Sequence, residues 1–133
     1  MRYLLDTSTC VFFLRGEYGV EEMIRARGVD NCCISDITVA ELRYGAENSG
    51  NPKKHHRLLD AFLDWVETLP ITNAISVYAE EKVRLRRLGV PHHDDFDLLI
   101  GASAISERLT LVTDNLKDFE RLAGIKVENW VRR

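Results

Sequence analysis

The 133-residue sequence has no apolar run near the roughly 20 residues that a membrane helix needs, which excludes a helical membrane protein. It has no excess of positive charge either: 18 Lys and Arg face 21 Asp and Glu, a formal net charge of −3. That balance excludes a protein that holds nucleic acid by bulk charge, so any such function has to be local. Cysteine is scarce and unpatterned. Cys10, Cys32 and Cys33 are an odd set without CxxC spacing, and adjacent Cys32 and Cys33 are poorly placed to bridge each other, so buried free thiols are expected. The four histidines come only as neighbours, His55–His56 and His92–His93. Neighbouring helical side chains diverge by about 100°, so such pairs are poor zinc chelators. The opening MRYLLDTS meets an acid at Asp6 and lacks the continuous apolar stretch of a secretory signal; a cytoplasmic protein is expected. No GxxxxGK, GxGxxG or GxSxG motif occurs, and there is no repeat, linker or low-complexity segment.

What is present is one domain's worth of chain, 45% apolar and 29% charged, which argues against disorder. The apolar run Tyr3-Leu4-Leu5 stops at Asp6, Thr7 and Ser8, residue types that open helices, and the helix that follows breaks at Gly16 and Gly19. A second helix through Met23 and Ile24 ends near Gly28. The same strand-to-helix pattern recurs at Cys32-Cys33-Ile34, followed by Ser35 and Asp36. Ile37, Ala40, Leu42 and Tyr44 follow a helical face to Gly45, and Leu58, Leu59, Phe62, Leu63 and Val66 form an amphipathic stripe on the next helix. A brief strand is expected at Thr68 to Pro70, a helix from about Ala74 to Leu88, and a helix apolar nearly all round from Asp97 to Ile105. Strands at Leu109 to Val112 and Ile125 to Val127 complete the chain. Short strands alternating with helices imply a parallel sheet covered on both faces.

Ligands in such a fold bind beyond the carboxyl ends of the strands. Asp6 and Asp114 stand at two of those ends, Glu41 sits in the helix after the second strand, and Asp97 opens the apolar helix. One acid at a helix start is an ordinary cap, and Glu41 alone fits a solvated helix face. Four acids gathered at one rim would repel and raise one another's pKa unless a cation held them. All-oxygen ligation selects Mg²⁺ or Mn²⁺ over zinc, and such an ion could activate water and stabilise the leaving group in phosphodiester hydrolysis.

The residues themselves resemble a known family. Leu4-Leu5-Asp6-Thr7, then Ile34 to Ala46 with Glu41 inside it, then Phe96-Asp97-Leu98-Leu99-Ile100-Gly101-Ala102, and finally Leu111-Val112-Thr113-Asp114-Asn115 with Phe119-Glu120-Arg121 and Val127 to Trp130, look like the PIN-domain ribonucleases of the VapC toxin family. The blocks run through the whole chain in order. The resemblance implies a single PIN domain over residues 1–133, a three-layer α/β/α sandwich with a short-stranded parallel sheet. It also implies the toxin of a type II toxin–antitoxin pair, a Mg²⁺- or Mn²⁺-dependent endoribonuclease acting on structured RNA such as tRNA or rRNA. The family's acids match Asp6, Glu41, Asp97 and Asp114, all four expected at catalysis and metal, with Thr7, Ser8, Thr113 and Asn115 in support. Ser8 departs from the family's usual Asn and lacks its amide.

The expected partners are a VapB-like antitoxin, the RNA substrate and a second copy of the chain, in a homodimer and a toxin–antitoxin hetero-oligomer. Val11, Phe12, Phe13 and Leu14 are candidates to line the antitoxin groove, and the helices around Tyr44 and Leu58 to Val66 the dimer face. Lys82, Arg84, Arg86 and Arg87 are candidate RNA contacts, with Lys53, Lys54 and Arg57 second; an ordinary solvated face beside Glu80 and Glu81 is the competing reading. His92, His93, Asp94 and Asp95 resemble a metal cluster but are expected to be a solvated loop after Pro91. Two other readings compete with the nuclease: a phosphatase using Asp6 as nucleophile, which would want an acid where Ser8 stands, and a PIN-fold binding module without catalysis.

Overall fold

A computed structural model describes residues 2–90 and 94–133. Five short strands, β1 (Tyr3–Leu5), β2 (Cys32–Ser35), β3 (Glu67–Leu69), β4 (Thr110–Val112) and β5 (Lys126–Glu128), form one parallel sheet in the order β3-β2-β1-β4-β5. Tyr3 lies opposite both Cys32 and Thr110, and Leu5 opposite Val112, so the carboxyl ends of the central strands are level. Alternation along β1 divides the core. Tyr3 and Leu5 face a cluster containing Cys10, Ile24, Leu42, Phe62 and Trp130, and Leu4 faces a second containing Leu85, Leu98, Ile100, Leu111 and Phe119. The first face is covered by α1 (Thr7–Arg15), α2 (Val20–Arg27), α3 (Asp36–Glu47) and α4 (Pro52–Leu63). The second is covered by α5 (Ile75–Arg87), α6 (Asp95–Ser106) and α7 (Leu116–Phe119). The result is the expected three-layer α/β/α arrangement.

The strand order puts a switch beside β1: the chain moves from β1 outward to β2 and β3, then returns to place β4 on the other side. Helices therefore leave β1 and β4 toward opposite faces, opening a crevice at the carboxyl ends of these two strands. Asp6 and Thr113 stand at that crevice.

The all-round apolar α6 needs neighbours on every side, and Gly101 lets one of them in. A Cβ at Gly101 would stand 2.3 Å from Leu122 Cδ1 and 3.3 Å from Phe119 Cδ1. Gly16 ends α1 in the left-handed region at φ 67, with its N–H on the carbonyls of Phe12 and Phe13.

Several boundaries move from expectation. Helix α6 begins two residues early because Asp94, an N-cap, accepts from Asp97 N. Helix α7 is a single turn, too short to leave a periodic signal. On α4, Leu59 and Phe62 turn inward and Val66 is buried beyond the helix end, so the expected dimer face is reduced to Leu58 and Trp65 beside Tyr44, which is 70% exposed. Asp94 and Asp95 belong to the start of α6 rather than to a loop, while His92 and His93 lie outside the described residues.

Glycine-to-alanine changes should act with opposite signs at two helical sites. At Gly45, with open space around it, alanine should stabilise by about 0.5–1 kcal/mol. At Gly101 the overpacking cost of roughly 1–3 kcal/mol should exceed the helix gain and destabilise. Urea denaturation at constant slope measures both.

Candidate active site

Asp6 follows β1 and caps α1, so one short segment buries its carboxylate at the crevice, where the residue is only 5% exposed. Oδ1 accepts from Thr9 N at 2.9 Å and Oδ2 from Thr113 Oγ1 at 2.6 Å. Asp6 N donates to Val112 O at 3.0 Å, and Thr9 Oγ1 donates to the same carbonyl at 3.2 Å. Thr113 is aimed in turn by Asn115 N, which donates to its hydroxyl at 2.9 Å. Burial pushes the Asp6 carboxyl above its ordinary value, and the bonds from Thr113 and Thr9 hold it back.

Glu41, from the middle of α3, accepts at Oε1 from Thr7 Oγ1 at 2.6 Å; Thr7 Oγ1 also lies 3.1 Å from the Thr38 hydroxyl. Asp97, in the first turn of α6, is pushed up to about 6, first by burial and then by the negative charges of Asp94, Glu41, Asp6 and Asp118. Asp6, Glu41 and Asp97 come from three separate elements, and the charges of the first two are felt at the third. Asp114 lies near enough to raise Asp6, but its own carboxylate is paired. Arg133 Nη1 and Nη2 reach its two oxygens at 3.0 Å each, and Asn129 Nδ2 donates to Oδ1 at 3.0 Å, which holds Asp114 below its ordinary value.

The PIN-domain family model matches residues 3–125. The tRNA(fMet)-specific endonuclease VapC of Salmonella typhimurium is 34% identical over 134 residues, with 98% of each chain covered, and ribonuclease VapC2 of Rickettsia felis is 33% identical with the same coverage. This chain belongs to the PIN-domain ribonucleases of the VapC toxin family. Among solved structures, DNA-bound VapBC from S. typhimurium superposes with a TM-score of 0.91 at 34% identity, covering 98% of both chains. VapBC2 from R. felis, bound to a promoter DNA fragment, superposes at 0.89 and 32% identity, covering 98% of this chain and 99% of that one.

Among the described residues of this PIN domain, no three His, Cys, Asp or Glu side chains are close enough to form a ready-made ion cage. The donor chemistry nevertheless fits a hard cation. Asp6, Glu41 and Asp97 offer only oxygen, and among the described residues no lysine or arginine pairs with any of them. Three acids come from three elements, and burial pushes two of them above their ordinary range.

The expected basic residues divide. Arg84 is tied into the fold, its Nε and Nη2 on Glu81 at 2.7 and 2.8 Å and Nη2 also on Arg121 O at 2.7 Å. Glu81 in turn accepts from Ala123 N, so this pair clamps α5 to the segment after α7. Lys82 Nζ meets Asp95 Oδ1 at 2.8 Å beside Tyr78. Arg86 and Arg87 are exposed at the end of α5. Ser8 is also exposed, and the helix N–H that meets Asp6 is that of Thr9. Thr9, Thr38 and Asp118 escaped sequence reading. Only Thr9 carried a signal, as the third residue after a capping acid, where the helix has an N–H to offer.

A raised carboxyl makes the folded chain bind protons more readily than the unfolded one, so this contribution to stability is largest at low pH and falls as pH rises from about 4 to about 6. In a chelator, Asp97→Asn should therefore raise the melting temperature at neutral pH and change it much less near pH 4. Added Mg²⁺ should raise the melting temperature of the native chain and not that of the variant. Equal melting of the two proteins at neutral pH would show that Asp97 carries no repulsion.

Proposed function

We propose that this VapC-type toxin hydrolyses phosphodiester bonds of structured RNA, tRNA or rRNA, with Asp6, Glu41 and Asp97 holding Mg²⁺ or Mn²⁺ and Asp114 at the rim. The observation that carries this reading is the buried Asp6 carboxylate at the carboxyl end of β1, fixed by Thr9 N and Thr113 Oγ1, with Glu41 and Asp97 presented to the same crevice by α3 and α6. The tRNA specificity in the name of the Salmonella relative supports the substrate class. A divalent ion, when bound, supplies Lewis acidity to a phosphate oxygen and lowers the pKa of water. The chain's own part is positioning. Thr113 and Thr9 fix the Asp6 carboxylate in one orientation, Thr7 turns Glu41 toward the crevice, and the Asp94 cap fixes the first turn of α6 that presents Asp97. Asp6 suits a phosphatase nucleophile poorly, since exposed Ser8 stands where that chemistry wants a second acid.

An antitoxin partner is part of this reading, because the superposing structures are VapBC complexes. A cavity of about 250 Å³ runs from Thr7 and Glu41 past Val11, Leu14 and Leu42 to Leu58, and an apolar segment seated there would end at the acids. Tyr44, Leu58 and Trp65 are exposed apolar side chains proposed for a homodimer face, and Arg86 and Arg87 the basic fringe for RNA, Lys82 being tied to Asp95.

Cleaved RNA should carry 5′-phosphate and 3′-hydroxyl ends; cyclic 2′,3′-phosphate ends would exclude hydrolysis by activated water. Thr113→Val removes the hydroxyl that supports Asp6 and accepts from Asn115 N, and should cost roughly 10–100-fold in activity or metal affinity. Asp97→Asn should cost more than that. Cleavage undiminished in Asp97→Asn would leave a nuclease reading without its site.

A further inference from the structure

Arg133, in the segment after β5, is held by two groups. Its Nη1 and Nη2 meet the two oxygens of Asp114 at 3.0 Å, and its guanidinium lies 4.9 Å from the centre of the Tyr18 ring. Tyr18 stands in the turn between α1 and α2 at φ 58, a left-handed conformation, and its carbonyl accepts from Arg132 N at 2.8 Å. Asn129 holds Asp114 from another side. Tyr18 and Asp114 thus hold one guanidinium, with Asn129 fixing Asp114, yet 58% of the Arg133 side chain faces solvent. An exposed ion pair adds little to stability, so folding alone does not account for such ordering.

The location gives it a use. Asp114 directly follows Thr113, whose hydroxyl holds Asp6, so Arg133 stands at the lip of the acid crevice. A polyanionic substrate must reach that crevice on a chain of net charge −3. Two of the cations expected to help are engaged: Lys82 on Asp95 and Arg84 on Glu81. A guanidinium has five N–H donors in a planar fork; Asp114 takes one from each Nη, which leaves Nε and the outer hydrogens for a second anion.

We propose that Arg133 is an RNA-backbone contact, binding a phosphate next to the scissile one, with Asp114 and Tyr18 holding its guanidinium ready. The proposal rests on the nuclease reading. Arg133 is held in its binding orientation before the substrate arrives, so little side-chain freedom is lost on contact.

The test measures binding of a labelled single-stranded RNA across a monovalent-salt series, in an Asp97→Asn background that does not cut the probe. Arg133→Gln should weaken binding about fivefold near 0.1 M salt and lower the salt slope by about 0.7, the loss of one phosphate contact. Arg133→Lys should keep the slope. Asp114→Asn frees the guanidinium and should tighten binding, whereas a purely structural strap would make Asp114→Asn and Arg133→Gln weaken it alike. An unchanged affinity and slope in Arg133→Gln, or parallel weakening in the two variants, overturns the proposal. If the native chain cuts no RNA and the background protein binds none, the nuclease reading itself falls; if RNA is cut and bound but Arg133→Gln binds as before, only the Arg133 contact falls.

Discussion

The structure depends on the burial of one carboxylate between two strands. Asp6 is held by a helix amide from its own side, Thr9 N, and by a hydroxyl from the far side, Thr113, while its backbone N–H is donated across to β4. A buried carboxylate is costly unless its lone pairs are satisfied, so β1 and β4 cannot separate without exposing that cost. The bonds that join the sheet at its switch point therefore also aim the first acid of the site. Fold and site share one set of atoms, and a substitution at Thr113 touches both.

The same constraint explains why the other acids arrive on helices rather than on strands. Glu41 needs the length of α3 to reach back over the crevice from the first face, and Asp97 needs the start of α6 to approach from the second. Each comes with its own fixture, Thr7 for Glu41 and the Asp94 cap for the turn carrying Asp97. Gly101 matters here through packing: its missing side chain admits Leu122 and Phe119, so α6 can settle against α7, which carries Asp118 into the field felt by Asp97. Arg84 and Glu81 tie α5 to the segment that follows.

Much of this was legible in the order of residues. An apolar run stopped by Asp-Thr-Ser has few readings other than strand, cap and helix, and the nearly unbroken apolar α6 had to be enclosed. The acids were legible because carboxylates at strand ends are conspicuous against an apolar pattern. What escaped depended on contacts between distant residues. Thr38 looks like an ordinary helix residue until folding brings the Thr7 hydroxyl beside it, and Asp118 sits on a one-turn helix with no periodicity to announce it. Arg84 looked like one of a row of surface cations, yet i to i+3 spacing from Glu81 and a carbonyl on another segment hold it within the fold.

Net charge was the poorest guide to nucleic-acid contact, and the reason is spatial. Setting Asp6, Glu41, Asp97 and Asp114 aside, the basic and acidic residues of the chain nearly balance, so the acidic excess lies in the site rather than over the surface. A site of that kind repels RNA until positive charge stands beside it, and a total of charges says nothing about where each one stands. Asp114 shows the distinction. It counts as one more acid in the composition, but with Arg133 across both of its oxygens it brings a cation to the edge of the crevice. Asp114 takes up part of the guanidinium's attraction for phosphate, but it fixes at the crevice a charge that would otherwise be mobile in solvent.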